Sequence, residues 1–187
     1  MPEKLNPILF KKSKMELLEY HKAGQSESIQ NRFGNQVYLQ VFDTLNNRIV
    51  VKNTESSTFE IKLLKVEDGM PVVGLIRTVC SPICQSTVEF YDSAWNKMPL
   101  QFNMPKAIEW IYKEKLAGNP DLDKVWVGNV LENSFISLRF DGVTQHIIAI
   151  NNSVEFLNDN DRKVILPMLN SQPIVYELKG RTWVLKL

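Results

Sequence analysis

Between Gln36 and Asp92 the chain alternates apolar and polar residues with a period of two. Phe59, Ile61 and Leu63 interleave with Glu60 and Lys62, and Val88 and Phe90 interleave with Thr87 and Glu89. Successive side chains of a strand point to opposite faces, so this period suits a sheet, whereas a helix repeats every 3.6 residues. Turn chemistry divides the block at Asn46-Asn47, at Thr54 to Ser57 and at Asp68-Gly69, the last before a run from Pro71 to Val79. Asparagine, aspartate and glycine tolerate the left-handed backbone of tight hairpins, so the block reads as a meander of antiparallel strands.

Helical spacing frames the meander. Ser13 and Glu16 stand at capping-box separation, Met15, Leu17, Leu18 and His21 share a broad side, and Gly24 can end the element, which predicts a helix over 13–23. After an irregular stretch from Asp92, Pro105 opens a second predicted helix with Ile108, Ile111, Tyr112 and Leu116 at helical spacing and Gly118 at its close. Phe135 to Phe140 and Gln145 to Ile150 flank the hairpin turn Asp141-Gly142. Asn158, Asp159, Asn160 and Asp161 start a short third helix with Val164, Ile165, Met168 and Leu169 on its apolar side, and Pro167 limits its length. Ile174, Tyr176 and Leu178 answer Trp183, Leu185 and Leu187 across Lys179-Gly180 in a final hairpin.

The fold class that follows is α+β, strand-rich, with antiparallel meander sheets and about three short helices. With 187 residues, 44% of them hydrophobic, the chain is expected to form a single unit over 1–187, divisible into lobes 1–95 and 105–187 joined by 96–104. The fragments MELLEYHKAG and IEWIYKEKLAG look alike, but amphipathic helix chemistry alone produces that likeness.

Composition excludes some partners. Lysine and arginine total 22 against 21 aspartates and glutamates, which leaves no global field for nucleic acid. The runs IVV and HIIAI fall well short of the roughly 18 apolar residues of a membrane-spanning helix, so no transmembrane segment is expected. The start MPEKLNPILFKKSK lacks the features of a secretory signal, which fits either a cytoplasmic protein or one whose leader has been removed.

The residue pair that invites chemistry is Cys80 and Cys84, in CSPIC. If 72–79 and 85–92 are neighbouring strands, Ser81-Pro82-Ile83 connects them and the cysteines face each other, with Cα atoms roughly 4.5–5.5 Å apart, close enough for a disulfide. So small a loop gains only about 2 kcal/mol from the bond. Two ordinary thiols, or redox chemistry, are the alternatives, although C-x-x-x-C in a strand turn lacks the helix N-terminus that activates a redox thiol. His21 and His146 lie in different halves and outside zinc-binding spacings, so they read as structural. Neither GxSxG, a Walker loop nor GxGxxG occurs, and no catalytic, cofactor-binding or metal-binding residue is assigned. Asp159 and Asp161 fit helix capping better than a calcium loop, and Asp121 and Asp123 fit a solvated turn after Asn119-Pro120. Lys11, Lys12 and Lys14 form a short basic run, and Trp95, Trp110, Trp126 and Trp183 are scattered, which is not the pattern of a basic groove with stacking aromatics.

The segments MPEKLNPIL, KSKMELLEY, TESSTFEIKLL, RTVCSPICQSTVEFYDSAWNKMPL and LNDNDRKVILPML occur in an order that resembles an uncharacterised exported family of Bacteroidales bacteria, a domain of unknown function. The resemblance implies a secreted, periplasmic or envelope protein made with a leader peptide, and an oxidising compartment for Cys80 and Cys84. It carries no activity and no site residue. The function expected on these grounds is a non-enzymatic envelope module that binds a protein or glycan partner through a sheet face or loop. A hydrolase assembled from distant residues, using Ser56 or Ser57 with a histidine or a carboxylate pair, is the first alternative, and a thiol switch at Cys80/Cys84 the second.

Overall fold

In the computed structural model, which describes residues 1–25, 28–66, 69–117 and 124–186, the alternating block forms a six-stranded antiparallel sheet in chain order. Its strands are β1 (Ile29–Gln30), β2 (Gln36–Asp43), β3 (Arg48–Thr54), β4 (Ser57–Lys65), β5 (Pro71–Cys80) and β6 (Cys84–Tyr91). Asn47 takes the left-handed conformation at φ +53° in the first hairpin turn, as the Asn46-Asn47 signal requires. A bulge between Leu39 and Val41 shifts the β2–β3 register by one residue. Gly69 has φ +76°, while its expected turn partner Asp68 lies outside the described residues.

The second half contributes a four-stranded antiparallel sheet, ordered β10-β9-β8-β7, from β7 (Ile136–Phe140), β8 (Ile147–Asn151), β9 (Ile174–Lys179) and β10 (Thr182–Leu185). Both predicted hairpins of this half are present, β7–β8 around Asp141-Gly142 and β9–β10 around Lys179-Gly180.

The helices depart from expectation in instructive ways. α1 (Lys11–Lys22) begins two residues before Ser13, with Phe10 at its N-cap, and no side chain caps it, so the predicted capping box does not form. Its end does follow the glycine signal: Gly24 has φ +72°, its N–H bonds His21 O, and Gln25 N–H bonds Tyr20 O at 2.9 Å, a Schellman closure. The second predicted helix is broken into a 3-10 turn (Ala107–Trp110) and α2 (Lys113–Ala117). Ile111 is extended between them because the backbone pairs sideways, with Tyr112 N–H on Met168 O at 3.0 Å and Asn170 N–H on Trp110 O at 2.8 Å. Gly118 lies outside the described residues. α3 (Lys124–Val130), rich in β-branched residues and containing Gly128, was not anticipated; it supplies Val127 to a small core with Ala107, Ile111, Ile165 and Met168. α4 (Asp159–Ile165) is capped as expected, Asn158 Oδ1 accepting from the N–H groups of Asn160 and Asp161 at 3.0 Å each.

The inner face of the large sheet, including Leu64, Val72, Ile76 and Phe90, packs on Leu138, Phe140, Ile147, Tyr176 and Trp183 from the small sheet. Met98, Leu100 and Phe102 of the irregular connection pack on the same cluster. β7 is an edge strand whose amides would otherwise be buried unpaired. Ser86 Oγ accepts from Leu138 N–H at 2.9 Å, and Glu60 Oε1 accepts from Phe140 N–H at 3.2 Å. Lys62, 2% exposed, donates from Nζ to Asp141 O at 2.7 Å. Burial pushes the Glu60 carboxyl up, and the Arg48 guanidinium, 2.6 Å away, pulls the other way.

Gly74 lies where β5 passes beneath Phe140: a Cβ there would sit 2.5 Å from Phe140 Cζ. Gly74→Ala is therefore expected to lower stability by about 1–3 kcal/mol. Gly128→Ala, with nothing within 4 Å of the added carbon on α3, is expected to be neutral or to stabilise by up to about 1 kcal/mol. Urea denaturation of the two variants checks this, and equal stability of both refutes the close-packing argument at Gly74.

Candidate functional site

The alternation that fills the inner face sends Val51, Phe59, Ile61, Val73, Leu75 and Tyr91 to the opposite side of the large sheet. The N-terminal segment and α1 cover this outer face. Leu9 and Leu17 seal one end against Ile29 and Val37. Farther along β2–β4 the cover and the sheet form a half-open cavity of about 470 Å³, lined chiefly by apolar surface from Leu17, Leu39, Ile49, Phe59, Ile61 and Trp95.

Trp95 belongs to the turn after β6. Its N–H bonds Asp92 O at 3.0 Å, Asp92 Oδ1 accepts from Asn96 N–H at 2.8 Å, and the residue is held at φ +65°. A bulky side chain rarely adopts that backbone conformation, which costs on the order of 1–3 kcal/mol and persists only where surrounding bonds enforce it. The indole packs near Tyr91, with ring centroids 5.9 Å apart, and lines the cavity.

Polar groups are few in the lining. Asn6 donates to Asn53 Oδ1 at 3.2 Å, and Arg48 is held by Glu60. Lys14 also lines the cavity, and its Nζ is buried without a hydrogen-bond partner. Burial depresses the Lys14 pKa, Glu3 opposes that shift, and Arg32 adds to it.

A charged cluster ties the cover to the sheet. Arg77 Nη2 donates to Leu5 O at 3.1 Å while its Nη1 reaches Glu89 Oε2 at 2.5 Å; Lys97 and Tyr91 also donate to Glu89, each at 2.9 Å. The Glu89 carboxyl is pulled down to about 2, first by the Arg77 hydrogen bond and then by Lys97.

The residues singled out from the sequence are not brought together. Cys80 and Cys84 are register partners with Cα atoms 3.9 Å apart, closer than expected, and sulfurs at 1.95 Å, a bonded separation. They occupy the far end of β5, seven residues or roughly 23 Å of strand from Val73 at the cavity. Ser56 Oγ and Ser57 Oγ both contact Thr54 Oγ1, at 3.5 and 2.7 Å, and neither bonds a histidine. His21 packs edge-on against Phe42 at 5.2 Å between ring centroids, and His146 precedes β8. Asp159 and Asp161 belong to the first turn of α4, and Asp121 and Asp123 lie outside the described residues. Trp110 and Trp183 are core residues, and Trp126 packs on the small core around Val127. Among the described residues no group of three or more His, Cys, Asp or Glu is placed to hold a metal ion, and no helix is long and apolar enough to cross a membrane.

A second cavity, about 450 Å³, is bordered by Trp110, Asn151, Asn152, Asn170 and Gln172. Its amides are committed internally: Asn152 Nδ2 donates to Cys84 O at 2.9 Å, Asn151 Oδ1 accepts from Ser153 N–H at 2.9 Å, and Asn170 Oδ1 accepts from Gln172 N–H at 2.9 Å. The Lys14 cavity was not found from sequence. Its one available signal was a lysine among apolar residues on the inward side of α1, and the basic run Lys11, Lys12 and Lys14 disguised it.

The molecule is thus a strand-rich α+β protein of two antiparallel sheets, with an apolar cavity under its N-terminal helix. The same fold occurs in a solved domain of an uncharacterized protein from Porphyromonas gingivalis W83, with TM-score 0.79, 17% identity, and coverage of 100% of this chain and 94% of that one. The chain belongs to the DUF3256 family, described as a protein of unknown function, whose model matches residues 1–183. The neighbour's origin in a Bacteroidales organism accords with the resemblance drawn from sequence. No curated protein matches the chain.

A carboxylate with a folded pKa near 2 contributes stability that is complete above its unfolded value of about 4.3 and is lost as pH falls through the folded one. Glu89→Gln is expected to lower stability at neutral pH and to flatten the loss of stability between about pH 5 and 2. Asp141, held at about 2 chiefly by the Thr144 N–H, retains part of that slope. Thermal denaturation across this range is the check; an unaltered slope refutes the role of Glu89.

Proposed function

We propose that this protein is a non-enzymatic binding module of the bacterial cell envelope that holds a small, largely apolar molecule between α1 and the outer face of the large sheet. The cavity carries this reading: its volume of about 470 Å³ lies within the 300–1,000 Å³ typical of small-molecule sites, and its walls are chiefly apolar. The strained backbone of Trp95 supports it, because strain held by hydrogen bonds beside a cavity is characteristic of ligand sites. The proposed ligand class differs from the protein or glycan partner expected from sequence.

The non-enzymatic part rests on the dispersal of the candidate groups. The serine hydroxyls engage Thr54, and His21 lies on α1 while His146 precedes β8. The envelope location rests on the family resemblance and on the register that sets Cys80 opposite Cys84, since disulfides persist in oxidising compartments.

Two measurements test these parts separately. Titration with the uncharged dye Nile red is expected to give a saturable fluorescence rise, and Ile61→Trp, which narrows the cavity, is expected to weaken it while thermal unfolding remains cooperative. Saturable binding that is indifferent to Ile61→Trp places the dye elsewhere and refutes the site. Protein purified from an oxidising compartment is expected to expose both thiols only after reduction, and free thiols before reduction contradict the envelope location.

A further inference from the structure

Among the described residues, the buried side-chain nitrogens without a hydrogen-bond partner are Lys14 Nζ and Trp183 Nε1. The indole is neutral and belongs to the core, whereas an unpaired buried ammonium is costly to maintain. Other buried charges in this molecule are satisfied: Glu60 has Arg48 and the Phe140 N–H, and Lys62 has the carbonyls of Asp141 and Gly142. The charged groups acting on Lys14 do not neutralise it, and the Met1 α-ammonium repels it. Glu3 accepts from Arg32 at 3.2 Å and from Lys11 N–H at 3.2 Å, and Arg32 lies over the Phe10 ring.

We infer that Lys14 is the head-group anchor of the cavity and that the ligand is an apolar-chain monocarboxylate, of the fatty-acid type. This inference rests on the binding reading above. The partners of the charged lining side chains select the head group: Arg48 is bonded by Glu60 and Asp43 by Asn46, so Lys14 Nζ is the charged side-chain atom left without a partner and suits a negative charge. A carboxylate on Lys14 Nζ forms a charge-assisted hydrogen bond at a buried nitrogen, where such bonds are strong. The chain then lies along the apolar walls formed by Leu39, Ile49, Phe59 and Ile61. The depressed Lys14 pKa agrees with a cation that lacks its partner.

Isothermal titration of the whole chain with dodecanoate, dodecanol and dodecyl phosphate tests this at one chain length. Dodecanoate is expected to bind about 10- to 100-fold more tightly than dodecanol, the range for one hydrogen bond to a charged group. Lys14→Met, which keeps the apolar stem and removes the unpaired charge, is expected to abolish that difference while changing dodecanol affinity by about twofold or less. Lys14→Arg is expected to restore a preference for the anion. Equal binding of dodecanoate and dodecanol, or a preference that survives Lys14→Met, overturns the inference and leaves the apolar cavity reading intact. Tighter binding of dodecyl phosphate than of dodecanoate overturns the choice of a monocarboxylate. If none of the three binds, the cavity reading and the inference fall together.

Discussion

The arrangement of the two sheets depends on polar side chains in a place where apolar ones are the rule. β7 presents an open edge to the large sheet, and its amides at Leu138 and Phe140 have no strand partner on that side. Ser86 and Glu60 accept from them, while Lys62 donates to the carbonyl of Asp141, where β7 ends. Buried unpaired amides are strongly disfavoured, so these contacts specify where β7 can rest as well as stabilising it there. The bonds to Arg48 make the arrangement interdependent, because Glu60 must remain charged in a site where burial favours its neutral form.

With the inner face committed in this way, the outer face is left to a light cover. One 12-residue helix and the segment before it cannot fill the width of the long strands β3 to β5, and the cavity lies in the unfilled part. The Arg77–Glu89 cluster holds the cover at one side, and the Leu9–Leu17 cluster holds it at another. The lysine that faces inward between them has no hydrogen-bond partner, whereas the other buried charges among the described residues are satisfied. The proposed binding of an amphipathic anion rests on this apolar cavity and its unpaired lysine nitrogen.

Membership in DUF3256 and the fold shared with the Porphyromonas gingivalis domain place the chain among proteins whose chemistry has to be read from the site itself. The cysteine pair and the cavity sit at opposite ends of β5, so the cysteine turn and the cavity are separate features of one strand.

Much of the architecture was legible in the amino-acid order. The period-two alternation, the Asn46-Asn47 and Asp141-Gly142 turns, Gly24 as a helix stop and Asn158 as a helix cap all follow from local backbone sterics and hydrogen bonding, which act over a few residues. Local rules failed where distant backbone competed. Helical spacing at Ile108, Ile111 and Tyr112 lost to pairing with Met168 to Asn170, and Ser13 does not cap a helix that starts earlier. Glu60 and Lys62 occupy the polar phase of an alternating strand, yet both are buried, because a second sheet formed about 80 residues away covers that face. The cavity was equally invisible in the linear order, since whether Lys14 meets a carboxylate, solvent or an apolar cavity depends on how α1 lies over β2 to β4. Short-range sterics chose the strands and turns; only the stacking of a helix and two sheets decided which polar residues are enclosed and which of them lack a partner.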